Sequence, residues 1–158
     1  MTEAATWQLA TDAWQPRVLV VDDDAGLRQV LQDVLSVEGF HVSQVDSALQ
    51  LAELVRVEQP DVVLLDQTME PVSGIEALQA LRMRGEQVPV LMLTGVPPDE
   101  LLESAVDVGA DDYVAKPFSN AVLVAHLRAM LRRVAWRSEP RDGTSHSICG
   151  PLIDDRRA

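Results

Sequence analysis

Lysine and cysteine each occur once in these 158 residues, at Lys116 and Cys149. A single cysteine excludes an internal disulfide framework and fits a reducing compartment. Aromatic side chains are scarce at 4%, and Trp7, Trp14 and Trp136 all lie near the ends, so a core must be built from aliphatic residues. Long apolar runs are missing too. The longest, Val18–Val21, Val62–Leu65 and Val88–Leu93, are far too short to span a bilayer. No Lys or Arg precedes Arg17 and no apolar stretch follows in the manner of a secretory signal. The expectation is a cytoplasmic protein without a membrane partner. Basic residues number 13 against 25 acidic ones, a net charge of −12. A groove that tracks nucleic-acid phosphates needs the opposite sign, so direct DNA or RNA binding by these residues is excluded.

What remains is ordinary globular material, 47% hydrophobic and 24% charged, enough for one domain with its own core. Between Arg17 and Arg133, short Val/Leu-rich stretches at 17–21, 41–45, 61–65, 88–93 and 112–115 alternate with segments of helical period. Leu27, Val30, Leu31, Val34 and Leu35 make one stripe; Leu123, Leu127, Met130, Leu131 and Val134 make another. Gly39, Pro60 and Gly109 sit where helices should stop. Strands this apolar, each followed by a helix, imply a parallel sheet covered on both faces. The predicted fold is α/β: a (βα)5 doubly wound five-stranded parallel sheet. Residues 1–16 read as an N-terminal arm, 17–136 as the domain, and 137–158 as linker chemistry followed by the apolar patch Ile148–Ile153.

In such a sheet, ligands gather outside the carboxyl ends of the strands. Those ends carry Asp22-Asp23-Asp24, Asp66, Thr94 and Lys116. Carboxylates crowded at one rim repel each other unless a cation lies among them, and an all-oxygen set suits Mg2+, with Mn2+ a possible substitute. A hydroxyl and an ammonium beside them would serve an anion, so the set suits a phosphoryl group bridged by a metal. Plainer roles compete. Asp24 reads better as the cap of the helix starting at Ala25. Asp22 and Asp23 could be solvated loop acids, and Thr94 a strand-end hydroxyl. Tyr113 could be a half-buried strand residue and Met69 loop packing. His41 and His126 read as surface or helix-face residues rather than ligands.

Val18-Leu-Val-Val-Asp22-Asp23-Asp24, Leu65-Asp66-Gln-Thr-Met69 with Gly74, Leu93-Thr94-Gly95 and Gly109-Ala-Asp-Asp-Tyr113-Val-Ala-Lys116-Pro117-Phe118 together resemble the receiver domain of bacterial two-component response regulators. The likeness covers about 117 residues. It implies the flavodoxin-like or CheY-like form of the fold, with Asp66 as phosphoacceptor for a sensor histidine kinase. Asp22, Asp23, Asp66 and the Thr68 backbone carbonyl would hold the metal. Lys116 would pair with Asp66 and then with a phosphoryl oxygen. Thr94 would donate its hydroxyl to another oxygen, and Tyr113 would turn inward as Thr94 moves. The Lys116–Pro117 bond stands at the family's cis-proline position. One departure is Glu70, where the family usually has proline, with Pro71 following; it is expected to place an extra carboxylate near the metal.

The segments around Gly109–Tyr113 and Lys116–Ser119, with Leu131-Arg132-Arg133, most resemble the OmpR-like, winged-helix subfamily. That resemblance implies a homodimer through the face of the fourth helix, fifth strand and fifth helix, and transcription regulation by a parent protein. The expected face holds Leu102, Asp107, Asp111, Asp112, Val122 and His126. Leu102, Val122 and His126 stand where the subfamily has charged partners, so the charged ring is partly replaced by apolar area. Ile148–Arg157 resembles the opening strand of a winged-helix DNA-binding domain. DNA contact is therefore expected only through a C-terminal domain absent from this sequence.

Three other readings of the residues compete. Mg2+-dependent phosphatases with an aspartyl nucleophile carry a second acid two residues on, and here that residue is Thr68, which argues against turnover of an external substrate. A nucleotide or flavin binder needs a Gly-rich loop after the first strand, which is missing. A receiver-like module that binds partners without phosphorylation typically loses an acid, the Thr or the Lys. This sequence keeps them all.

Overall fold

The computed structural model describes residues 15–95 and 109–138. Within them, β1 (Arg17–Val21), β2 (His41–Val45), β3 (Val62–Asp66), β4 (Val90–Thr94) and β5 (Asp112–Ala115) form one sheet of order β2-β1-β3-β4-β5. Every pairing is parallel. The helices are α1 (Ala25–Val37), α2 (Leu51–Glu58), α3 (Gly74–Met83) and α4 (Asn120–Ser138). The predicted helix between the fourth and fifth strands lies outside the described residues, as do Leu102 and Asp107. So do the arm up to residue 14 and everything after residue 138.

The central strands β1, β3 and β4 are buried on both faces, and the side chains of the sheet sort by parity. Val18 and Val20, Val62 and Leu64, Leu91 and Leu93, and Val114 join Leu31, Leu35, Leu123 and Leu127 in one cluster under α1 and α4. Leu19 and Val21, Val63 and Leu65, and Val90 and Met92 join Leu51, Val55, Leu78 and Leu81 in the other, under α2 and α3. This period-2 split is what the strand geometry demands of a sheet covered on both sides. Each fully buried leucine contributes about 1.5–3 kcal/mol.

Local chemistry sets the helix ends. Asp24 caps α1, its Oδ1 accepting from the Leu27 N–H at 3.1 Å, as expected of it. Ser73 and Glu76 form a reciprocal capping box on α3. Gln59 ends α2 in the left-handed region, just before Pro60.

Boundaries differ in three places, the first being the third strand, which runs Val62–Asp66 rather than 61–65. The fourth strand starts at Val90, not Val88, because Pro89 has no N–H for the ladder. The last helix runs through Ser138, two residues beyond the predicted domain edge at 136 and two short of Pro140. Among the described residues, no helix is long and apolar enough to cross a membrane.

Candidate phosphoryl and metal site

Strand order reverses between β1 and β3, because β2 lies outside β1 while β4 and β5 run on beyond β3. The carboxyl ends of these two strands therefore open a crevice. Asp22 follows β1, Asp66 ends β3, and Lys116 follows β5. By parity all three continue the α1/α4 side of the sheet, which is why residues 44 and 50 apart in sequence converge. Lys116 Nζ lies 3.1 Å from Asp66 Oδ1 and 3.3 Å from Asp22 Oδ2.

Both carboxylates are held by the backbone as well. Asp22 Oδ1 accepts from the Asp24 N–H at 2.9 Å, and the Asp22 carbonyl accepts from the Arg28 guanidinium at 2.7 Å. Asp66 Oδ1 accepts from the Thr68 N–H at 3.3 Å. Asp22 is fully buried, Asp66 nearly so, and Asp23 is exposed. The buried pair forms a fixed floor and Asp23 the open lip.

The three carboxylates each present an oxygen within 4.8 Å of the others. Against three negative charges stands one ammonium. Burial pushes the Asp66 carboxyl above its ordinary value; the Lys116 hydrogen bond pulls it down, and the neighbouring Asp22 charge pushes it up again. Burial lowers Lys116, but the bond to Asp66 and the charge of Asp22 outweigh it and leave the ammonium raised above its usual range. A pocket short of positive charge, lined by hard oxygen donors and open at one lip, fits a divalent cation such as Mg2+ that retains several waters.

Thr94 is buried at the end of β4, and its hydroxyl donates to the side-chain oxygen of Gln67. Tyr113 is half-buried and packs against the α2/α3 cluster. Met69 is buried in that cluster, as expected of a packing residue. Thr68 is exposed, with its N–H turned to Asp66. The Lys116–Pro117 bond is cis, and so is Glu70–Pro71.

Glu70 does not join the carboxylate cluster. The oxygens that gather within 4.8 Å of one another come from Asp22, Asp23 and Asp66, without the extra carboxylate expected from Glu70. On the expected interaction face, Val122 is exposed, but Asp111 and Asp112 are engaged within the chain. Asp111 pairs with Arg82 at 3.0 Å, and Asp112 lies 2.6 Å from His126 Nδ1.

Sequence reasoning missed three contributors. Gln67 carries no family signature, although its place beside Asp66 is a usable signal. Arg28 acts through a backbone carbonyl, which no motif records. Gly74 was noted without a reason; a Cβ there would fall 2.2 Å from the Asp66 carbonyl oxygen, so only glycine lets α3 start this close to the acceptor.

Comparison with known proteins places the chain in a family. Residues 18–128 match the response regulator receiver domain. The chain is 37% identical over 138 residues to response regulator MprA of Mycolicibacterium vanbaalenii, covering 87% of this chain and 58% of that protein. It is 38% identical over 117 residues to MprA of Mycobacterium leprae, covering 74% and 51%. It thus spans about half the length of these curated relatives. Among solved structures, chemotaxis protein CheY4 of Vibrio cholerae superposes with a TM-score of 0.69 at 28% identity, covering 74% of this chain and 99% of that one. The Francisella response regulator 1452 receiver domain gives 0.71 at 27%, covering 76% and 99%. With the acidic crevice, its lysine and its threonine in place, the chain belongs to the response regulator receiver domain family.

Proposed function

We propose that the domain is a phosphorylation-dependent switch in a two-component phosphorelay, with Asp66 accepting a phosphoryl group from a sensor histidine kinase. The observation that carries this is the Asp22–Lys116–Asp66 arrangement, a buried carboxylate oriented by an ammonium at 3.1 Å beside two further acids. Lys116 and the Thr68 N–H both bind Asp66 Oδ1. That leaves Oδ2 to meet the donor phosphorus. Its lone pair forms the new P–O bond while the donor's P–N bond breaks, and the departing imidazole keeps that electron pair.

Asp22, Asp23, Asp66 and the Thr68 carbonyl would hold Mg2+. Bound there, the ion would neutralise charge on the phosphoryl oxygens. Lys116 supplies the remaining positive charge, and its bond to Asp22 keeps it anchored when the Asp66 oxygens change partners. Thr94 would move from Gln67 to a phosphoryl oxygen, with Tyr113 following it inward. The domain would then turn over no external substrate, catalysing only its own metal-dependent phosphorylation and dephosphorylation.

The parent protein would be an OmpR-like transcription regulator in the cytoplasm, touching DNA only through a C-terminal domain. Dimerisation on phosphorylation would use the β5–α4 side, where Val122 is exposed. Because Asp111 and Asp112 are already paired within the chain, apolar contact rather than crossed salt bridges would carry that interface. Sedimentation of phosphorylated and unphosphorylated protein tests it: a phosphorylation-dependent dimer weakened by Val122→Asp is expected, and a phosphorylated monomer would count against it. Incubation with acetyl phosphate and Mg2+ tests the acceptor itself, with Asp66→Asn as control. The alternative, a phosphorylation-independent interaction module, predicts no uptake and partner binding that Asp66→Asn leaves unchanged.

A further inference from the structure

We propose that Gln67 is a positioning residue that holds the Thr94 hydroxyl in the resting state and so sets how readily Asp66 is phosphorylated. This rests on the phosphoacceptor reading above and adds a residue to it. Gln67 directly follows Asp66, so strand parity turns the two side chains to opposite faces of the sheet. Across the β3–β4 ladder Asp66 is in register with Leu93, and the Gln67 N–H donates to the Leu93 carbonyl at 2.9 Å. Gln67 and Thr94 therefore occupy neighbouring positions on the α2/α3 side, whereas the Asp66 carboxylate continues the α1/α4 side. Their side chains meet there, the Thr94 hydroxyl donating to Gln67 Oε1.

The backbone that carries this side chain is itself fixed. The Gln67 carbonyl accepts from the Gly74 N–H at 3.0 Å, which ties this residue to the start of α3. Gln67 is half-buried and Thr94 is 1% exposed, so water competes poorly for the bond. A threonine hydroxyl has one proton to donate. While that proton is on Gln67 it cannot be on a phosphoryl oxygen, so the phosphorylated state must break this bond. An intramolecular hydrogen bond of ordinary net strength biases such an equilibrium by about two- to tenfold.

The test is a double-mutant cycle on the full chain with Gln67→Met, which keeps length and removes the acceptor, and Thr94→Val, which keeps shape and removes the donor. Thermal unfolding of the unphosphorylated, metal-free proteins reads the resting bond. The two substitutions should be non-additive, the second costing less once the first is present. Initial phosphoryl uptake from acetyl phosphate and Mg2+ reads the consequence. Gln67→Met should speed uptake about two- to tenfold in the Thr94 background and leave it unchanged in the Thr94→Val background. A purely structural role would give the same change in both backgrounds. Additive unfolding overturns the proposal, and so does non-additive unfolding with unaltered uptake. No uptake by any protein, wild type included, overturns the phosphoacceptor reading and the regulatory role with it, while the unfolding cycle still reports whether the resting bond exists.

Discussion

Substituting Gly74 by alanine should damage both stability and phosphoryl uptake, because the space for a Cβ is occupied by the backbone that carries the acceptor. The new carbon would fall 2.2 Å from the Asp66 carbonyl oxygen, 2.9 Å from Gln67 Cα and 3.0 Å from the Asp66 carbonyl carbon. A Cβ essentially never approaches a non-bonded heavy atom within 3.0 Å, so the gap must open by about 0.8 Å. All three obstacles are backbone, so no rotamer change relieves them. Overpacking of this kind costs about 1–3 kcal/mol. Alanine's better helix propensity returns at most about 1 kcal/mol, and less at the first position of α3. A net loss of about 1–2 kcal/mol lowers the melting temperature by about 2–8 °C at this chain length. The displaced loop also carries the Asp66 carboxylate, and a misplacement near 1 Å can cost about 100-fold in rate. Thermal unfolding followed by circular dichroism, with timed acetyl phosphate incubations, measures both. A Gly74→Ala protein with wild-type melting and wild-type uptake would refute the close approach.

Three further outcomes follow from the same geometry. Burial raises the Asp66 carboxyl, so the folded state holds that proton more tightly than the unfolded chain. Stability therefore falls as pH climbs from about 3.9 through the folded value, and the cost stays in force above it. In chelator, Asp66→Asn should melt higher than wild type at pH 7, with the gap closing below about pH 4; an equal gap at both pH values would contradict the assignment. Mg2+ at ten times its dissociation constant should stabilise the wild type by about 1.4 kcal/mol. Asp23→Asn should lose most of that gain without melting lower in chelator, since Asp23 is exposed; an undiminished Mg2+ effect would remove Asp23 from the ligand set. Arg82 donates to the carbonyls of Glu86, Val88 and Gly109 and pairs with Asp111, tying the end of α3 to the entries of β4 and β5. Arg82→Met keeps the stem that packs near Gly109 and should cost about 1–3 kcal/mol, seen as a lower melting temperature; unchanged melting would show that water replaces the guanidinium.

The sheet was legible because its central strands are short runs of aliphatic residues bounded by turn signals, and burial on both faces leaves these little alternative. The rim acids, Thr94 and Lys116 were legible because a parallel sheet presents the residue after each strand on one edge. Asp24 was readable as a cap from its place before a helical stripe, and Met69 as packing. What escaped depends on contacts between distant positions. Arg82 reaches Gly109 and Asp111, 27 and 29 residues away, and no local pattern marks it. Gln67 has no sequence pattern of its own, and only the β3–β4 register sets it beside Thr94. Glu70 misled because its distance in sequence from Asp66 was read as nearness in space, whereas the loop leaves it in solvent.

The central claim is that Asp66 is a metal-dependent phosphoacceptor, and intact-mass spectrometry tests it most directly. Wild type, Asp66→Asn and Lys116→Ala would be incubated with acetyl phosphate, with Mg2+ and with chelator. The account predicts one phosphoryl increment on the wild type in Mg2+, none in chelator, none on Asp66→Asn and a reduced yield on Lys116→Ala. An increment that survives Asp66→Asn, or that forms equally well in chelator, would contradict it.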